Sequence, residues 1–346
     1  MRTLTRLPIS GLVLIMLALL TAKAALGEPY KSDVGPFAVD SYTLDLHDAA
    51  RDRDVPVRVY LPIGAEGKRP VVLVSHGLGG TREGLSYIGK HWASYGYVCV
   101  HMQHLGSDDS VWKGLKPREI MTAMRKAAQD PANATNRAYD TKFVLDKLDG
   151  MNADEQSKLH AMLDLEKVGI AGHSFGAWTA LAAGGMTIGG PKPQQVNDAR
   201  VRCMIPLSPP VVAFERYRKQ SYESLSIPAL MMTGTLDVSP INDTTAEERV
   251  IPYELMPGVS AKGQPKYLVN FSGADHMTFS GETGSRMRKR EVAPDLDKQF
   301  HSLILQSTTA FLDTYLLGDE KAKNWLNDGD FVKQVGEQGE VQMDVR

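Results

Sequence analysis

Short apolar runs alternate with helix-length stretches along most of the chain. Residues 71–74 (VVLV) are continuously apolar and end at Ser75-His76-Gly77, which predicts a strand buried on both faces. A helix-length segment covers 83–95, and a second strand is expected over 97–102. The segment 134–148 has helical spacing, with Ala138, Phe143, Leu145 and Leu148. A third strand over 167–171 leads into a helix over 175–183, and three more strands fit 202–207, 229–233 and 267–271. Residues 296–317 read as a long amphipathic helix, because Leu296, Phe300, Leu303, Ser307, Phe311 and Tyr315 recur every three to four positions. Such alternation argues for an α/β protein with a mostly parallel central sheet and helices on both faces. Ahead of it, 41–46 and 57–61 alternate like an antiparallel lead-in pair. Two stretches fit poorly, 106–133 and 208–226. Both fall where a loop would follow a strand, and such loops often carry function.

The pattern describes one domain over 28–346, with a core at about 40–317 and a tail at 318–346. The tail ends in charged and polar residues, GEQGE at 336–340, and is expected at the surface or disordered. The first 27 residues read as a cleavable signal peptide. Arg2 and Arg6 precede an apolar run at 11–22, too short for a comfortable membrane span, and small-residue cleavage patterns end at Ala24 and Gly27. The alternative is an uncleaved anchor. The expected mature protein is secreted or periplasmic and has no membrane span.

Composition narrows the classes. Apolar residues make up 42% and charged residues 23%, as in ordinary globular chains. Thirty-nine Lys plus Arg against 41 Asp plus Glu leave a net charge of −2, so no basic excess exists to neutralise nucleic acid. Two cysteines, Cys99 and Cys203, lie in separate strand-like runs and read as buried free thiols rather than a disulfide.

Gly172-His173-Ser174-Phe175-Gly176 follows the strand VGIA and precedes the helix AWTALAA. This is G-x-S-x-G in the strand–turn–helix setting that makes the serine a nucleophile. A serine hydroxyl needs a base, and the base needs an acid to orient it. In sites of this construction the chain order is Ser, acid, His. Two histidines follow Ser174. His301 lies within the closing helix, whereas His276 lies in a turn after the strand at 267–271 and is the expected base. Asp237 ends the apolar strand-to-turn segment ALMMTGTL and is the expected acid. Asp243 competes with it, and Asp275 is expected to point elsewhere. The Gly-rich turn Ser75-His76-Gly77-Leu78-Gly79-Gly80 would place the N–H of Leu78, with that of Phe175, around an oxyanion. His76 is expected to support the turn. His101 and His104 lack further ligands at metal spacing, so neither a metal nor an organic cofactor is expected.

With these residues in place the sequence resembles the α/β-hydrolase superfamily. Within it, SHGLGGTREGLSYIGKHWASYGYVCVHMQHLGSD at 75–108 and GHSFGAW at 172–178 resemble the platelet-activating-factor acetylhydrolase and dienelactone-hydrolase-like esterase group. The resemblance spans about 40–317. It implies the α/β-hydrolase fold, ester hydrolysis by Ser, Asp and His, and oxyanion donors at Leu78 and Phe175. Dienelactone hydrolases proper carry Cys at the position of Ser174.

The expected function is an exported serine carboxylic-ester hydrolase acting through an acyl-enzyme on short-acyl or small esters. Trp112, Trp178 and Phe214, with Met121 and Met124, are candidates to line the substrate site. The rivals are a polyesterase or lipase acting on polymeric or long-chain esters, an exported peptidase or amidase, and a non-catalytic binding protein.

Overall fold

The computed structural model describes residues 28–188, 193–281 and 294–346. The signal segment read above, 1–27, lies outside the described residues. Among the described residues nine strands form one sheet: β1 (Val39–Asp48), β2 (Arg53–Pro62), β3 (Arg69–Ser75), β4 (Val98–Met102), β5 (Leu163–His173), β6 (Val201–Leu207), β7 (Ala229–Leu236), β8 (Lys266–Asp275) and β9 (Gly339–Asp344). Their order is β1-β2-β4-β3-β5-β6-β7-β8-β9. The six central strands run parallel, whereas β1, β2 and β9 pair antiparallel at the two edges.

Helices cover both faces: α1 (Ser86–Ser94), α2 (Pro117–Gln129), α3 (Pro131–Ala153), α4 (Phe175–Ala183), α5 (Glu215–Glu223), α6 (Ile251–Leu255), α7 (Pro294–Leu312), α8 (Glu320–Asn327) and α9 (Asp330–Val335). Side chains alternate across a strand, so β3 feeds two cores. Val71 and Leu73 join a cluster with Val144, Leu145 and Leu181. Val72 and Val74 join one with Trp92, Phe300 and Phe311 on the other face. Burial on both faces explains why β3 reads as a continuous apolar run.

The two stretches that fitted poorly each contain a helix. Within 106–133 lies α2, started by Pro117 at its first position. The next helix, α3, is capped by Asp130, whose side chain accepts from Ala132 N–H, with Pro131 at its first position. Within 208–226 lies α5. Helix α5 is polar along its length, so its apolar content does not reveal it, whereas α2 is amphipathic and carries a helical pattern behind its Lys-Pro start.

The segment 318–346 corrects the reading of a surface or disordered tail. It folds into α8, α9 and β9, with Trp325, Leu326, Phe331 and Val335 buried, and β9 pairs with β8 from Gly339 to Asp344. The apolar residues are few but fall on the inner faces of two short helices. Cys99 and Cys203 are both buried and free.

Candidate active site

The site forms at the carboxyl ends of the parallel strands, where α/β sheets place ligands. Ser174 sits between β5 and α4 at φ 56°, ψ −116°, a strained backbone for a non-glycine residue that costs about 1–3 kcal/mol. The flanking glycines make the turn possible. A Cβ at Gly172 would lie 2.2 Å from the Gly176 oxygen, and one at Gly176 would lie 1.9 Å from the Ser75 oxygen. Helix α4 can therefore lean against β5 and β3, and the turn projects the Ser174 hydroxyl outward.

His276 follows β8 directly, and its Nε2 lies 3.0 Å from Ser174 Oγ. Its Nδ1 lies 2.8 Å from Asp237 Oδ1. Asp237 is fully buried just after β7. Because Nδ1 faces a carboxylate, it carries the proton, and Nε2 presents a lone pair to the serine hydroxyl. Burial alone would raise the Asp237 carboxyl. The Arg249 guanidinium, the bond to His276 and the Ser208 hydroxyl together hold it well below the usual carboxylate range.

Other residues stand apart from this chain. Asp275 turns away: its Oδ1 accepts from the N–H groups of Met277 and Thr278 and closes the turn that carries His276. Asp243 is exposed. His301, on α7, bonds the Thr278 carbonyl at 2.8 Å and braces that turn from behind.

Three residues missed in the sequence complete the arrangement. Ser208 directly follows β6 at φ 52°. Its Oγ lies 2.9 Å from Asp237 Oδ1 and 2.8 Å from His276 Nδ1, so it donates to the carboxylate and shares the Nδ1 proton. Arg249 is 2% exposed. It donates to the carbonyls of Asp237, Ser208 and Pro209 at 3.1, 3.2 and 3.0 Å. Its Nη2 lies 3.2 Å from His276 Nδ1, and since both are donors this is a contact rather than a bond. In the sequence it reads as part of an exposed Glu-Glu-Arg run. His173 lies inside the G-x-S-x-G motif, and its Nε2 donates to the His276 carbonyl at 2.8 Å. Ser208 had a topological signal, since it directly follows β6, the neighbour of the strand that Ser174 follows.

The loop after β3 passes against the serine. A Cβ at Gly77 would lie 3.5 Å from Ser174 Cβ. Gly79 takes φ +76° and donates its N–H to the Ser107 carbonyl at 2.9 Å. Among the described residues, the N–H groups of Leu78 and Phe175 donate to no backbone partner.

Two cavities flank Ser174, and both are lined by Leu78, Ser174 and Ile241. The larger, about 440 Å³, is also lined by Trp112, Met121, Met124, Pro240, His276 and Met277. The smaller, about 230 Å³, is lined by Phe175, Trp178, Val211, Ala213, Asn242 and Arg249. Trp112 is further tied to the Gly-rich loop by its indole N–H on the Gly79 carbonyl at 2.7 Å. Phe214, expected to line the site, lines neither cavity. It is 61% exposed and packs against Tyr217 at the start of α5, because that helix turns it outward. His101 and His104 bond Gly84 and the Ser75–Asp140 pair.

A mostly parallel sheet with a strained serine between its central strand and the following helix defines the α/β-hydrolase fold. The family model of platelet-activating factor acetylhydrolase, isoform II, matches residues 44–124, which include the Gly-rich loop. The chain is also 26% identical over 313 residues to the platelet-activating factor acetylhydrolase of Cavia porcellus, covering 80% of this chain and 64% of that protein's length. Both matches support the resemblance to the acetylhydrolase-like esterase group.

Proposed function

We propose that the protein is an exported serine carboxylic-ester hydrolase that works through an acyl-enzyme. The observation that carries this reading is the hydrogen-bonded chain from Ser174 through His276 to Asp237, at the junction of two cavities. Ser174 Oγ attacks the ester carbonyl and passes its proton to His276 Nε2. Asp237 stabilises the imidazolium, and the N–H groups of Leu78 and Phe175 hold the oxyanion. His276 then protonates the leaving alcohol, and a water deprotonated by His276 releases the acid. No step calls on a metal or an organic cofactor.

The same chemistry assigns the cavities. The leaving oxygen must face His276, which lines the larger one, so the alcohol lies there and the acyl group lies beside Phe175 and Trp178. The acyl side, about 230 Å³, is below the roughly 300 Å³ at which ligand pockets usually begin. A short acyl group on a bulkier, apolar alcohol fits this division, and the name acetylhydrolase of the matching family model and relative supports it. Among the described residues no helix is long and apolar enough to cross a membrane. Export rests on the signal-like sequence at 1–27, and N-terminal sequencing of exported material tests it, with new termini expected after Ala24 or Gly27.

The deciding experiment is a series of 4-nitrophenyl esters from acetate to palmitate, run beside Ser174→Ala. Wild type should peak at acetate or butyrate, and the variant should lose about a thousandfold or more. A long-chain maximum would favour the lipase-like rival. No turnover by folded wild type would remove the esterase reading and move weight to the peptidase.

A further inference from the structure

Beneath the Gly-rich loop, away from Asp237 and His276, lies a buried arginine that the proposed chemistry does not use. Arg137, on α3, has no exposed surface. Its Nη1 donates to the His76 carbonyl at 2.7 Å and to Ser75 Oγ at 3.2 Å. Its Nε donates to Ser107 Oγ at 2.9 Å. The Ser107 carbonyl in turn accepts the Gly79 N–H. Leu78 is therefore held on both sides through one guanidinium, by His76 before it and by Gly79 after it. The Cζ of that guanidinium lies over the Phe175 ring, 4.3 Å from its centre. The two N–H groups assigned to the oxyanion thus belong to residues gripped by the same planar cation.

The surroundings hold Arg137 in turn. Ser75 Oγ lies 2.9 Å from His104 Nε2, and His104 Nδ1 lies 2.9 Å from Asp140 Oδ2. Arg53 donates to both oxygens of Asp140. His76 accepts the His104 N–H on Nε2 and donates from Nδ1 to Gly77 O, so its tautomer is set. This buried Ser–His–Asp set has no route to substrate and acts as a brace.

We propose that Arg137 is a positioning residue for the oxyanion donors, clamping the Leu78 loop and the start of α4 at a fixed separation. The proposal rests on the esterase reading above. Only a planar, multiply donating cation can make these contacts together, so lysine should fail to replace it.

The test compares wild type, Arg137→Lys and Arg137→Met. In folded Arg137→Lys, kcat should fall at least about tenfold while KM stays within about threefold, since one such donor is worth roughly 10²–10³ in kcat. The Ki of a trifluoromethyl ketone, whose adduct places an oxyanion at the same donors, should rise by the factor by which kcat/KM falls. Amide exchange at Leu78 and Phe175 should quicken. Unchanged kcat, or a lowered kcat with unchanged inhibitor affinity and exchange, would overturn the proposal. Should both Arg137 variants fail to fold, Ser107→Ala and Phe175→Leu each remove one contact and leave the cation in place. In these, kcat and inhibitor affinity must fall together or the proposal fails. If wild type hydrolyses no ester, the esterase reading falls by itself, and amide exchange in Arg137→Lys then decides the clamp.

Discussion

His173 Nε2 donates to the backbone carbonyl of His276 at 2.8 Å, and their rings lie 4.8 Å apart. The residue preceding Ser174 therefore anchors the loop that faces Ser174, although β6 and β7 separate the two parent strands. Burial pushes the His173 imidazole down to about 3, so the ring stays neutral with its one N–H committed to that carbonyl. Replacing it by Phe should keep the packing and remove the tether. Since a hydrogen bond is worth about 1 kcal/mol, kcat should fall about fivefold with KM little changed. Steady-state kinetics on 4-nitrophenyl acetate checks this, and a loss confined to KM would contradict it.

Trp178 limits the smaller cavity. Trp178→Ala enlarges the proposed acyl side without touching His276 or Asp237. The preferred acyl chain should lengthen by several carbons, and activity on acetate should fall modestly. Met121→Ala, on the other side of Ser174, should alter discrimination among alcohols and leave the acyl preference alone. An unchanged chain-length profile in Trp178→Ala would place the acyl group elsewhere.

Stability should decline on mild acidification. Burial pushes His101 and His104 down to about 4, and His173 to about 3, while the unfolded chain takes up protons near pH 6.5. Above about pH 6.5 both states are neutral and stability is complete. As pH falls from there toward 4 the unfolded state gains protons that the folded state refuses, so stability is lost through that window. Urea unfolding at pH 7, 5.5 and 4.5 should show midpoints falling in order. His101→Gln should flatten the slope by up to about one proton. The depressed carboxyls of Asp237 and Asp140 act in a separate window, below about pH 4, where their stabilisation is lost as they protonate.

Truncation after Leu317 should abolish cooperative unfolding. The removed segment buries Trp325, Leu326, Phe331 and Val335. At about 1.5–3 kcal/mol for each side chain, their loss rivals the whole stability of a typical domain, about 5–15 kcal/mol. Thermal unfolding of the truncated chain measures it, and a sharp transition within a few degrees of wild type would show that the core closes without this segment.

The legible parts of the molecule were those where local sequence and tertiary placement obey one rule. The strands of the parallel sheet are apolar on both faces, so residues 71–74 and 229–233 announce themselves. Ser174 is bound to its neighbours by steric need, since only glycine fits at 172 and 176. His276 and Asp237 were legible through their strand ends. Arg249 was not, because a buried arginine surrounded by carbonyls looks in sequence like any charged surface residue, and Ser208 was legible only through its place just after β6. Phe214 shows the converse: an aromatic in a functional-looking loop turned outward by an unforeseen helix. The C-terminal segment was misjudged because its buried residues are sparse and gain their meaning only from packing beside α7 and from the pairing of β9 with β8.

That segment also meets the earliest described part of the chain. The Trp325 indole N–H reaches the Glu28 carbonyl at 2.6 Å, the rings of Tyr30 and Trp325 lie 5.5 Å apart, and the Tyr30 hydroxyl bonds Asp313 at 2.6 Å. Tyr30 and the outer flank of β8, the strand leading to His276, are thus fastened by the same stretch of chain, 313–344. Loosening that stretch would free both together, so the Tyr30–Trp325 ring contact reports on the seam beside the strand that carries His276.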